Sequence, residues 1–178
     1  ICFMKGEVLC VLVCLIDELT KEKYLLLVKQ RRICDGSMTY EHPAGMLDSE
    51  SDAYKVASKE VWEETGLTIE TPKLCGLYHW HKGGVHYVIT LYRADRFIGE
   101  LTSSEEGQVY WIPLEELKTK ELATGMEYVL QILESEQVNE CYMHLEADGY
   151  VGDFKNIPVD ELRERINEIE KGKPVYLI

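Results

Sequence analysis

The sequence predicts an α/β fold, and three observations carry that expectation. Apolar, β-rich runs occupy residues 7–17, 23–30, 74–81 and 85–92. Apolar residues recur at helical spacing over residues 51–65 and 122–134. Strand-like and helix-like stretches also alternate along the chain, which points to helices covering a sheet.

The first two runs are separated by a charged stretch at residues 18–22 and read as a hairpin or meander. Residues 31–36 form a polar break. Residues 39–47 carry Pro43, Ala44 and Gly45 and read as a loop before the helix over 51–65, which Gly66 ends. Residues 74–81 and 85–92 follow as two strands joined by a turn at Lys82, Gly83 and Gly84. A short strand is expected at 108–112, and Pro113 at a helix N1 position opens residues 114–117. The helix over 122–134 buries Met126, Val129, Leu130 and Leu133. A hairpin (141–145 and 150–154) and a terminal amphipathic helix (159–169) complete the chain. With 178 residues and no linker, repeat or low-complexity tract, residues 1–178 are expected to form one domain with a C-terminal hairpin and helix extension. Because the chain begins at Ile1, a short preceding segment is expected.

A net charge of −13 repels nucleic acid, whose binding normally rests on a basic face. An acidic protein that handles a phosphorylated small molecule needs local cations, and Mg²⁺ is their usual source. The apolar run at residues 8–16 is about half the length of a membrane span, so no membrane partner is expected. The cysteines (Cys2, Cys10, Cys14, Cys34, Cys75, Cys141) show no CxxC pair and suit the reduced thiols of a cytoplasmic protein.

Chemistry concentrates at the end of the first helix. At about 100° per residue, Glu64 falls roughly 40° to one side of Glu60 and Glu63 roughly 60° to the other, so the three carboxylates share a face. Ala53, Val56 and Ala57 lie on that same face, whereas Lys55, Ser58 and Lys59 lie opposite. The arrangement breaks three local rules: like charges adjoin, carboxylates continue an apolar face, and anions sit at a helix C-terminus. Divalent cations would relieve all three, because Mg²⁺ takes hard oxygen ligands.

The same stretch resembles the signature of Nudix hydrolases, which runs Gly, five residues, Glu, seven residues, then Arg-Glu-apolar-x-Glu-Glu-x-Gly-apolar. Here Gly45, Glu60, Val61, Glu63, Glu64, Gly66 and Leu67 stand in register. Ser51 replaces the usual first Glu and Lys59 the usual Arg; Lys59 cannot reproduce a bidentate fork, and Glu50 is one residue early. The resemblance implies a Nudix fold, a mixed β-sheet sandwiched between helices. It also implies Glu60 and Glu64 as principal metal ligands, Glu63 as a further ligand or orienter, and Gly45 as a carbonyl ligand. The ion would be Mg²⁺, with Mn²⁺ as a substitute, and the reaction a hydrolysis of a diphosphate bridge. Glu63 is one candidate base; Glu105 or Glu106 in the following loop is another.

Two resemblances address the substrate. Residues Glu41, His42, Pro43, Ala44 and Gly45 resemble the Glu-Leu-Pro-Ala-Gly segment of ADP-ribose and ADP-sugar pyrophosphatases, which favours a nucleotide sugar. Residues 76–80 and 97–107 resemble MutT-type hydrolases of oxidised nucleoside triphosphates. Arg31, Arg32 and Glu41 are candidate contacts to phosphate or sugar, and Trp80 or Tyr40 a candidate base platform. A Nudix-fold sensor without turnover is the alternative, motivated by Ser51 and Lys59. Related sugar-nucleotide enzymes often dimerise, which makes a homodimer an expectation by analogy. His79 and His81 alternate on one strand face, but with no third nitrogen or sulfur ligand at suitable spacing zinc is not expected.

Overall fold

The computed structural model describes residues 4–5, 8–32, 36–46, 52–82, 85–169 and 176–177. Glu50, Ser51, Cys2, Cys34 and the Gly83–Gly84 turn lie outside the described residues. The elements run β1 (Met4–Lys5), β2 (Val8–Ile16), β3 (Lys23–Arg31), β4 (Met38–Glu41), β5 (Ala44–Met46), α1 (Ala53–Thr65), β6 (Thr68–Ile69), β7 (Lys73–Lys82) and β8 (Val85–Ala94). They continue with β9 (Phe97–Ile98), β10 (Gly107–Pro113), a 3-10 helix (Leu114–Thr119), α2 (Met126–Glu134), β11 (Glu140–Glu146), β12 (Gly149–Lys155), α3 (Val159–Ile169) and β13 (Tyr176–Leu177).

The main sheet is mixed, with order β10-β3-β2-β8-β7-β11-β12; β4 pairs with β3 and β5 with β2. Strand β2 shows why helices cover both faces. Its side chains alternate, and both sets are apolar. Leu9, Val11 and Val13 pack with Val56, Ala57 and Val61 of α1. Cys10 and Leu12 pack with Met126, Val129 and Ile132 of α2 and Leu117 of the 3-10 helix. The expected sandwich is therefore present, built on a strand that is buried from both sides. On β8, Tyr92 packs against the α1 cluster and Val88 against Leu162 of α3. Because Val88 and Tyr92 share a face by strand alternation, α3 lies on the same side of the sheet as α1.

Three expectations are corrected. Residues 38–41 and 44–46 form two short strands in place of the loop expected over 39–47, because their backbone groups pair with β3 and β2 on either side of Pro43, which stays outside both ladders. The helix expected over 122–134 begins at Met126. Leu122 is held in a bridge to Tyr40, and Gly125 at φ 86° turns the chain into the helix. Pro113 is the last residue of β10, and the turns it opens are 3-10 in type. Helix α1 is capped by Asp52, whose carboxylate accepts from the Tyr54 N–H at 3.1 Å. No described helix is long and apolar enough to cross a membrane. The four described cysteines, Cys10, Cys14, Cys75 and Cys141, are free.

Candidate active site

Helix α1 ends where Gly66 takes φ 75° and its N–H returns to the Trp62 carbonyl, a left-handed cap that a side chain would strain. This fixes the last helical turn against β5. Glu64 is only 3% exposed, and the Ala44 N–H donates to its Oε1 at 3.2 Å. That is its one hydrogen bond to protein among the described residues. Burial pushes its pKa up to about 8; the Ala44 N–H opposes the shift, while the charges of Glu106, Glu60 and Glu41 add to it. Glu60 lies alongside. Burial also raises its pKa, offset by Lys59 and reinforced by Glu63 and Glu106.

Gly45 of β5 faces the Glu60 side chain so closely that a Cβ there would stand 2.2 Å from Cδ and 2.6 Å from Oε1. The backbone is thus pressed against a carboxylate, with no room for a side chain between them. Glu63 lies apart from this pair. Its side chain is 47% exposed and accepts an ion pair from Lys59 at 3.2 Å. Lys59 also lies 3.7 Å from Glu60. The lysine in place of arginine therefore bridges two helix carboxylates on the solvent side.

Glu106, in the loop before β10, is close enough to both Glu60 and Glu64 to raise their pKa values. Arg32 pairs with Glu41, and the Thr39 hydroxyl donates to the same carboxylate at 2.6 Å. Glu41 is buried while Arg32 is half exposed, so these two expected substrate contacts are brought together with each other. Arg31 is exposed at the end of β3. Trp80 packs against the rings of Tyr87 and Tyr150 at 5.9 and 6.0 Å, on the α2 side of the sheet. Tyr40 meets Tyr110 edge-on at 6.0 Å.

A NUDIX domain profile matches residues 7–133. The chain belongs to the Nudix family. A MutT-like protein of Streptomyces ambofaciens is 34% identical over 83 residues, which cover 46% of this chain and 53% of that protein. The chain thus spans about half the length of that curated relative. The Nudix fold is also seen in the MutT protein of Bacillus halodurans, which superposes with TM-score 0.66 at 22% identity, covering 84% of this chain and 98% of the other. The NUDIX domain of Shewanella oneidensis NrtR, solved with ADP ribose, superposes with TM-score 0.60 at 14% identity, covering 73% and 86%.

Within the Nudix helix, Glu60 and Glu64 are two oxygen donors of the kind a hard divalent cation takes, under-compensated by hydrogen bonds and packed against backbone. Among the described residues, no three His, Cys, Asp or Glu side chains are already gathered around one point, so backbone oxygens and water would complete any such coordination. Three features escaped the sequence reading. These are the Arg32–Glu41 pair, the Ala44 N–H on Glu64, and His42, buried with neither ring nitrogen hydrogen-bonded to protein. His42 takes the place of Leu in the Glu-Leu-Pro-Ala-Gly segment, and that substitution was the available signal.

Proposed function

We propose that the protein is a Mg²⁺-dependent Nudix pyrophosphohydrolase that cleaves the diphosphate linkage of a nucleoside diphosphate derivative, with ADP-ribose or a nucleotide sugar as the favoured class. The observation that carries the reading is Glu64. A carboxylate 3% exposed, with one backbone donor and acidic neighbours at Glu60 and Glu106, is costly unless a cation shares the space.

Glu60, Glu64 and the Gly45 carbonyl would hold the ion, with Glu63 and Mn²⁺ as the accessory ligand and substitute metal. When bound, the metal neutralises phosphate charge and makes a water more acidic. The chain's own groups divide the remaining work. Glu106 accepts the proton of the attacking water, because its charge bears on both Glu60 and Glu64. Arg31 meets the distal phosphate or sugar. Arg32 is steadied by Glu41 and presents its remaining donors to the same group. Trp80 contributes an aromatic wall on the α2 side of the sheet.

The favoured class rests on the Glu41 to Gly45 segment beside the carboxylates and is supported by the similarity to a domain solved with ADP ribose. A second reading, a MutT-type nucleoside triphosphatase, is supported by the similarity to MutT proteins. Hydrolysis of both classes in ¹⁸O water, with products weighed, separates them and locates the broken P–O bond. Binding of ADP-ribose without release of product under any divalent metal would instead favour a sensor module.

A further inference from the structure

Glu41 divides its two carboxylate oxygens between two donors. The Thr39 hydroxyl donates to Oε1 at 2.6 Å, and Nη2 of Arg32 donates to Oε2. Thr39 and Glu41 stand two residues apart on β4 and so share a face, and both are buried. Their backbone is fixed, because Thr39 pairs with Gln30 and Glu41 with Val28 of β3. A β-branched side chain has few χ1 choices, so this hydroxyl is a stiff donor. Its length is that of a charge-assisted O–H···O⁻ bond.

Arg32 meets Glu41 from the end of β3. Its N–H donates to the Ser37 carbonyl at 2.9 Å, and its own carbonyl accepts from the Gly36 N–H at 2.8 Å. The backbone is therefore anchored on both sides of a side chain that is 49% exposed. Among the described residues the guanidinium makes one hydrogen bond, from one nitrogen to one oxygen. An arginine carries five N–H donors and commonly meets a carboxylate through two parallel bonds. Here the pair is single, and the rest of the fork faces water. The charge of Glu41 is felt at Glu64, so the pair borders the carboxylates of α1.

We propose that Thr39 is a positioning residue for the substrate: by holding Oε1 of Glu41 it sets the rotation of that carboxylate, limits Arg32 to one bond, and keeps the remaining guanidinium donors open to a phosphate oxygen. The proposal rests on the reading of the site as a diphosphate hydrolase. Without the hydroxyl, the Glu41 carboxylate is free to turn and take Arg32 in two parallel bonds. That closed pair competes with the substrate for the same donors. The effect belongs to binding, because Thr39 touches neither the carboxylates of α1 nor Glu106 in the steps assigned to them.

The test combines kinetics on ADP-ribose with calorimetric binding of its non-hydrolysable α,β-methylene analogue, both with Mg²⁺. Thr39→Val keeps the branched shape and removes the donor. It should raise KM and the analogue's Kd about 3–10-fold while kcat stays within about 2-fold, and Thr39→Ser should restore both constants. In an Arg32→Ala background, Thr39→Val should add nothing further. Melting temperatures check folding, and Thr39→Ala takes the place of Thr39→Val should the latter fail to fold. Unchanged Kd in Thr39→Val, no recovery in Thr39→Ser, or an equal loss in the Arg32→Ala background would each overturn the proposal. A wild type that binds the analogue yet leaves ADP-ribose intact would sink the hydrolase reading alone, with the role of Thr39 still decided by Kd. Failure to bind the analogue at all would overturn both.

Discussion

Gly45 and Glu60 touch: a Cβ added to Gly45 would stand 2.2 Å from the Glu60 carboxyl carbon. No side chain fits between this strand and the Nudix helix. The prediction is that Gly45→Ala displaces Glu60 and lowers activity at least about 10-fold, with a stability loss of about 1–3 kcal/mol from overpacking. Denaturation and kcat/KM measured on the same preparation check both. Retention of full activity would show that Glu60 holds no metal.

Glu64 makes a second prediction. Its folded pKa of about 8 lies above the ordinary glutamate value, so the folded state holds a proton that the unfolded state releases. Stability from this group is fully present below about pH 4 and is lost as pH rises through about 8. Without metal, Glu64→Gln should raise the melting temperature at pH 8, by the equivalent of about 1–3 kcal/mol. Mg²⁺ should stabilise the wild type at that pH and have little effect on the variant.

His42 should act in the opposite direction. Burial holds its pKa down to about 3, so the unfolded chain binds a proton below about pH 6.5 that the folded chain refuses. Stability should therefore fall between about pH 6.5 and 3. His42→Leu, which restores the residue usual at this position and removes two unpaired nitrogens, should flatten that acid limb in a pH series of thermal melts.

The loop acids are separable by kinetics. Glu106→Gln should lower kcat about 10²–10⁴-fold and alter the pH profile, whereas Glu105→Gln should do neither. Equal losses would move the proton acceptor back to Glu63.

Arg165 is the cation against the buried Glu140, with a second partner in Glu161 at 2.6 Å. Arg165→Met should cost roughly 3 kcal/mol in urea unfolding, because it leaves a buried carboxylate without its charge partner.

The Nudix helix, its glutamates, the terminating Gly66 and the two apolar faces of β2 were legible in the sequence. Each is written into one element, where periods of 3.6 and 2 sort side chains by face. The helical wheel placed three carboxylates together, and packing then treated them unequally: Glu64 is buried under β5, Glu60 is partly covered, and Glu63 stays in solvent with Lys59. No local period contains that difference, because it depends on where β5 lands. The same holds for the parallel pairing of β11 with β7, which brings Glu140 to His79 across 61 residues of chain. Strand register likewise sets His86 opposite His81, a neighbour that spacing along one strand does not contain. The sequence by itself determined which side chains share a face of one helix or strand, since that follows from backbone geometry alone. Only the tertiary structure decided which of them lose water and which meet a distant partner, because desolvation and pairing are properties of surfaces contributed by separate segments.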